Sequence, residues 1–461
     1  MAGLMQALET GKRSLLTTQL QLQTIGHNIA NVNTPGFSRQ RVTIRATRPS
    51  DLPIGSIGTG IEATDIQQIK DAFLIQQYRK ESESLGEWQY KEKVLSQIET
   101  LFNEPGDNSI SALLNDFWSS WSDLSTDMGN RTDILAKAES LSSGFYEMAD
   151  QLNRLSEAID REIDGMTGEI NQITTEIASL NHQINSSELG GQSANDLRDR
   201  RDLLVDDLSG LVDVNAVEQS NGSLMVTIGA MAVVNDDNAV TITSRTTATA
   251  TRLNHDLVWE NTDVELKTAG GELKGMLDMR DKVIPEYMAQ LDQMAQTIVV
   301  EVNQLHRTGY GANGSTGLNF FNMTNVNAMN MKINPLIVED TSRIAASASG
   351  EPGDRTIALA IADLQNQDFM SGNTATLSEY YASLIGTIGV DSKEAQSYTE
   401  NYTLLLAQVD NARQSVQGVS LDEEMINLVK FQQAYDAAAR VITAVDEALD
   451  TLIKGTGVVG R

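Results

Sequence analysis

The sequence predicts a mainly α fold with paired terminal heptad helices, a long helical rod domain and a small β-rich domain inserted into the rod. Three observations predict it. Near the start, Leu8, Leu15, Leu22 and Ile29 recur every seven residues; near the end, Leu421, Leu428, Tyr435, Ile442 and Leu449 do the same. Between them, Phe145, Leu152, Ile159, Met166, Ile173 and Leu180 form a third such row, joined by Ile163, Ile170, Ile177 and Ile184. From 212 to 266 the apolar period falls to two. A heptad repeat puts one narrow apolar stripe on a helix and calls for a helical partner. A period of two marks strands with one buried face.

Taken in order, the first helix is expected over 2–31. Asn33-Thr34-Pro35-Gly36 stops it, because proline cannot continue the ladder and glycine serves the turn. Val42 and Ile44 alternate with polar residues and suggest a strand, whereas 54–60 is glycine-rich and reads as a loop. Helix returns over 71–102, through Leu85, Trp88, Leu95, Ile98 and Phe102, until Pro105-Gly106 breaks it. Leu113, Leu114, Phe117, Trp118 and Trp121 form the apolar face of a shorter helix. The two-row heptad helix ends at Leu189-Gly190-Gly191, and a charged helix follows over 194–208.

Val212, Val214 and Val217 then lead into the turn Ser220-Asn221-Gly222, and Leu224, Val226, Ile228, Val240 and Ile242 continue the strand pattern. Beyond it come a helix over 272–306, a loop over 308–319, a strand-like Leu336-Ile337-Val338 and a loop over 347–354. Helices are expected over 357–364, 376–384 and 392–417, with the last heptad helix reaching Ile453 and a loose tail at 455–461. The domains are therefore 1–40 with 418–461 (terminal coiled coil), 41–210 with 271–417 (rod) and 211–270 (β-rich). Pairing ends so far apart in sequence costs loop-closure entropy. The ends are thus expected to be disordered in the monomer and to order on assembly.

Charge supports the pairing of unlike ends. The 461-residue chain carries a net charge of −29, which argues against nucleic acid as a partner. Yet residues 1–50 hold six bases against Glu9 alone, while 421–461 hold seven acids and four bases. Opposite charge on two heptad helices favours their pairing over self-pairing. No run of eighteen apolar residues suggests a membrane span. The start carries Glu9, Lys12 and Arg13 where a cleavable signal would be apolar, so export without a cleaved signal is expected if the chain leaves the cell.

Catalytic signals are weak. The chain has no cysteine, and His27, His182, His255 and His306 lie far apart, so no metal site or cofactor is expected. His27 and His306 read as cap or surface residues. Gly309-Tyr310-Gly311-Ala312-Asn313-Gly314 matches G-x-G-x-x-G but follows a helix, and no helix opens directly after it, so it reads as a loop. Asp422-Glu423-Glu424 open a helix, where carboxylates favour the positive end of the dipole. One segment stands out: Asn28, Asn31 and Asn33, then Pro35 and Gly36, mark a specified turn whose side-chain amides bond backbone or packed neighbours.

That segment, Asn28-Ile29-Ala30-Asn31-Val32-Asn33-Thr34-Pro35-Gly36-Phe37, resembles the N-terminal motif of the bacterial flagellar axial proteins of rod, hook and hook-associated structures. Gly418-Val419-Ser420-Leu421-Asp422-Glu423-Glu424-Met425-Ile426-Asn427-Leu428 and the helix after it resemble their C-terminal motif. Ile177 to Ile184, Leu197-Arg198-Asp199-Arg200-Arg201-Asp202-Leu203-Leu204-Val205 and His306-Arg307-Thr308-Gly309-Tyr310-Gly311 are similar to the hook-associated members and not to hook or rod subunits. The resemblance covers essentially the whole chain. It implies a structural, secreted subunit at the hook–filament junction of the flagellum, self-assembling through its paired termini. Hook protein would lie on one side and the next hook-associated protein or filament on the other. It also implies type III export, with the chaperone FlgN holding the C-terminal helix beforehand. Larger members carry a further outer domain after the pair matching Phe320-Phe321, and this chain passes almost directly to 336–338. The alternatives are another axial subunit, of hook or rod, and a secreted coiled-coil effector; no residue constellation supports an enzyme.

Overall fold

The computed structural model describes residues 2–52, 55–102, 109–124, 126, 130–248, 253–260, 262 and 264–456. The expected break at Pro105-Gly106 and most of the expected loose tail lie outside them. The chain is mainly helical with small antiparallel sheets. Among the described residues no helix is long and apolar enough to cross a membrane.

Helix α1 (Ala2–Ala30) leads through the Asn31–Gly36 turn into strands β1 (Gln40–Ala46), β2 (Ser50–Leu52), β3 (Gly55–Ile57) and β4 (Ile61–Gln68). β1 pairs with β4 around a bulge at Thr43/Ile44, and β2 pairs with β3 at the tip. The glycine-rich 54–60 segment is therefore partly strand rather than loop, because backbone pairing across the tip overrides its low strand propensity. The ribbon runs back along α1: a Cβ on Gly60 would lie 3.3 Å from Thr10 Cγ2.

The rod is built from α2 (Ala72–Leu101), α3 (Ile110–Leu124), α4 (Arg131–Glu188) and α5 (Asn195–Leu211). All ten heptad residues of α4 are buried. Strands β5 (Val214–Glu218), β6 (Leu224–Ile228), β7 (Met231–Asn235) and β8 (Asn238–Ala239) form an antiparallel meander, and β9 (Ile242–Ala248) pairs with β10 (Leu253–Trp259). The meander packs on α4 through β7 and β8, and the hairpin through β9.

Helix α6 (Glu272–Asp278) continues through a π turn, Met279–Val283, into α7 (Ile284–His306). Pro285 lies just past that turn, after Ile284; it has no N–H to donate and its ring collides with the carbonyl four residues back, which favours the widened turn. His306 ends α7 but is 1% exposed, not the cap or surface residue expected. It packs edge-on against Trp121 and near Phe320, in an aromatic core shared with Phe117, Trp118 and Phe321. The Gly309–Gly314 segment holds strand β11 (Tyr310–Gly311).

Two further expectations are corrected. Leu336-Ile337-Val338 lies in helix α8 (Pro335–Glu339), because Asn334 accepts the Leu336 N–H and Pro335 supplies a first-turn φ. After strand β12 (Ala345–Ser347), which pairs with β11, and helix α9 (Thr356–Asp363), residues 377–417 form one helix, α10 (Leu377–Gln417), not two. Gly386 and Gly389 interrupt its pattern in sequence, but α10 packs along α2, and tertiary packing outweighs their low propensity. Helix α11 (Leu421–Thr456) then returns to pack on α1.

Candidate assembly interface

Asn28 and Glu424 meet at one end of the terminal pair, while Gly11 faces Ile442 farther along. The helices are therefore antiparallel. Leu8, Leu15, Leu22 and Ile29 are all half-buried, as are Leu428, Tyr435, Ile442 and Leu449; Leu421 is 46% exposed, beyond the end of the seam. The deepest positions form a second row that the sequence reading missed: Gly11, Thr18 and Ile25 on α1, and Glu424, Ala438 and Val445 on α11. These also repeat every seven residues (with a gap at 431 on α11), offset from the large apolar row by three or four. Gly11, Thr18, Glu424 and Ala438 are small or polar, which hid the row from a search for hydrophobic stripes although Ile25 and Val445 belong to it. Small side chains let the backbones approach: a Cβ on Gly11 would lie 3.0 Å from Ile442 Cγ1.

The turn motif fastens this pair to the rod. Asn28, 1% exposed, donates from Nδ2 to the Gln40 carbonyl (3.0 Å) and to Glu424 Oε2 (3.2 Å), and its Oδ1 accepts the Gln40 N–H (3.0 Å). Asn31 donates back to the His27 carbonyl at 3.0 Å, and Thr34 donates to Asn31 Oδ1 at 3.0 Å. Asn33 and Pro35 are exposed. Gly36 adopts φ +74°, and a Cβ there would press within 3.1 Å of Leu203 on α5, so glycine serves both the turn and the close approach. Arg39 donates from Nε to Glu424 Oε1 (2.7 Å) and from Nη1 to Glu423 Oε2 (2.6 Å), while its N–H donates to the Gln417 carbonyl (2.8 Å). Glu424, read from sequence as a helix-dipole acid, is thus a buried ion-pair partner.

Helix α5 closes the joint from the rod side. Asp196, Asp199, Asp202 and Asp206 are spaced three or four apart and share one face. Asp196 accepts from Gln40 Nε2 (2.9 Å), and Asp199 accepts the Ser38 N–H (3.0 Å). Lys70 bridges Asp199 (3.0 Å) and Asp202 (2.6 Å). Asp206 binds Arg79 of α2 (2.7 Å) and Arg413 of α10 (2.5 Å), and Arg413 lies over the Tyr78 ring. Burial pushes the Asp199 carboxyl up, against Lys70 and the Ser38 N–H. At Asp202 burial also pushes upward, but Lys70 and Arg79 outweigh it and hold the group low. The opposite face of α5 carries Arg198, which pairs with Glu188 (2.8 Å) and Glu218 (2.6 Å), and buried Arg201, which donates to Asn181 Oδ1 (3.0 Å) and the Gly222 carbonyl (2.9 Å). One charged helix therefore clips the terminal domain to the rod and the rod to the β meander. The three-and-four spacing of its aspartates was the signal available in sequence.

The two terminal segments and the rod each match a known family. "Flagella basal body rod protein" matches 8–37, "Flagellar basal body rod FlgEFG protein C-terminal" matches 413–454, and "Flagellar hook-associated protein FlgK helical domain" matches 95–321. Flagellar hook-associated protein 1 of Bacillus subtilis is 31% identical over 507 positions, covering all of both chains. The chain belongs to the flagellar hook-associated protein 1 family. The Escherichia coli member is 25% identical, covering 95% of this chain and 97% of its own. The flagellar hook junction protein FlgK of Burkholderia pseudomallei has the same fold, with a TM-score of 0.63 at 16% identity over 74% of this chain and all of that one. The Bacillus alignment spans 507 positions against 461 residues here, so this family member lacks segments that its relative carries.

Proposed function

We propose that the chain is the structural subunit that joins hook to filament in the bacterial flagellum and is needed for filament assembly on the hook. One observation carries this reading. The two segments that match the axial families, 8–37 and 413–454, are the two that fold against each other as α1 and α11. A subunit whose ends pair in this way offers one composite surface to its neighbours. On the outer side of α11, Met425 (61%), Ile426 (69%) and Val429 (51%) stay exposed in the single chain, more apolar surface than an isolated helix leaves in water without a partner.

Several finer statements belong to the same proposal. The residues Leu8, Leu15, Leu22, Ile29, Leu421, Leu428, Tyr435, Ile442 and Leu449 contribute to assembly. The subunit contacts hook protein on one side and the next hook-associated protein or filament on the other. The export chaperone FlgN covers α11 before export, the subunit works outside the cell, and its role is not enzymatic. The test is a gene deletion viewed by negative-stain electron microscopy, with flagellin assayed in the medium. Hooks without filaments and flagellin lost to the medium are expected. Loss of the hooks as well moves the subunit to the hook or rod, and motile filaments overturn the proposal.

A further inference from the structure

We infer that the Arg39–Glu424 pair, with Asn28, determines which helix α1 accepts and in which register. The inference rests on the geometry of the paired termini, so it stands or falls independently of the subunit's place in the flagellum.

The seam itself discriminates poorly. Its large residues repeat every seven positions on both helices, and its deepest residues are Gly11, Thr18 and Ile25 against Ala438 and Val445. An apolar seam with a strict repeat packs almost as well after a slip of seven, and like helices from two copies can pair through it. Glu424 breaks the degeneracy. Its side chain is 2% exposed, and both oxygens are engaged, Oε1 by Arg39 and Oε2 by Asn28. After a slip of one heptad, Phe431 stands where Glu424 stood, and the Asn28 amide and Arg39 guanidinium lose their acceptor. If two α11 helices paired in parallel through the same face, the two Glu424 carboxylates would stand side by side, and the nearest cation in sequence is Lys430. A buried charge stripped of its partner is strongly disfavoured, so the wrong pairings are rejected by an unpaired group rather than by lost packing. A single buried polar residue in a heptad seam is a known means of fixing register.

The absence of native cysteine makes the test direct. The full-length chain carrying Gly11→Cys and Ile442→Cys reports the native register as an intramolecular disulfide. Gly11→Cys with Leu449→Cys reports a slip of one heptad, and Ile442→Cys alone reports α11–α11 dimers. In the parent background only the first pair should link. Glu424→Leu should lower the native link at least about tenfold relative to the slipped link or the dimer, and Arg39→Glu should do the same. The charge swap Arg39→Glu with Glu424→Arg should restore the native link, a rescue that packing alone does not produce. Tryptophan fluorescence reports the fold outside the terminal pair in each variant, since Trp88, Trp118, Trp121 and Trp259 all lie outside α1 and α11. Native linking at parent levels in Glu424→Leu overturns the inference, as does a swap that leaves the native link lost while the rod stays folded.

Discussion

Asn303 holds Phe321 by both of its backbone groups: Nδ2 donates to the Phe321 carbonyl at 3.0 Å, and Oδ1 accepts the Phe321 N–H at 2.8 Å. The same two-way clamp recurs from Asn28 to Gln40, from Asn171 to Ile242 and from Asn181 to Leu224. In each case a helix asparagine substitutes for a neighbouring strand. Its amide matches the backbone amide in geometry, so a strand or extended segment can lie against a helix without leaving buried groups unpaired.

Asn181 is the most heavily used of these clamps, since it also donates to the Asp236 carbonyl (2.7 Å) and accepts from Arg201. Asn181→Ala should destabilise the protein by about 2–4 kcal/mol, because several buried groups lose partners at once. Thermal unfolding followed by circular dichroism measures it; a loss under about 1 kcal/mol would show that water replaces the amide.

His306 donates or accepts at both ring nitrogens, with the Leu318 carbonyl at 2.7 Å from Nδ1 and the Ala345 N–H at 2.9 Å from Nε2. The Ala345 N–H requires a bare Nε2, so the proton sits on Nδ1 and the ring is neutral. Burial depresses its pKa from 6.5 to about 4. The unfolded chain therefore takes up a proton that the folded chain refuses. This contribution is fully present above pH 6.5 and is lost as pH falls from there towards 4, amounting to about 3 kcal/mol. The difference in unfolding free energy between the parent and His306→Gln should shrink over that interval.

Ile442 packs against Gly11 at the seam. Ile442→Asp, or Leu428→Asp, should cost the terminal pair several kcal/mol, about 2–5, by burying a charge. The rod core around Trp118 and Trp121 should keep its melting temperature. A deletion strain carrying either variant should not hold filaments on its hooks, and normal attachment would sink the paired-termini account.

Gly86 of α2 faces the last turn of α5 and the start of α6 so closely that a Cβ would lie 2.1 Å from the Gly210 carbonyl oxygen. Helix propensity alone favours Gly86→Ala by about 1 kcal/mol. The contact is with backbone and cannot yield, so the variant should instead be destabilised by about 2 kcal/mol or more. Denaturant unfolding gives the sign.

Asp206 ties Arg79 and Arg413 together at the joint. Asp206→Ala leaves two cations side by side and should destabilise by about 2–3 kcal/mol, with less loss at high salt. A double variant that also removes Arg413 should recover part of the loss, which a double-mutant cycle reads directly.

The sequence by itself determined the elements that depend on local period. A stripe every seven residues is a property of one helix, so α1, α4 and α11 and the switch to strands after Val212 were legible without a partner in view. The resemblance of 28–37 and 418–428 to flagellar axial proteins was equally local. Tertiary structure alone decided the rest. Whether Glu424 is a solvated first-turn acid or a buried ion-pair partner depends on Arg39, 385 positions away, and no local pattern carries that. The continuity of α10 through Gly386 and Gly389 depends on α2 lying along it. The small residues Gly11 and Ala438 are buried in the seam because two backbones close on each other there, and burial of that kind belongs to the pair of helices, not to either one.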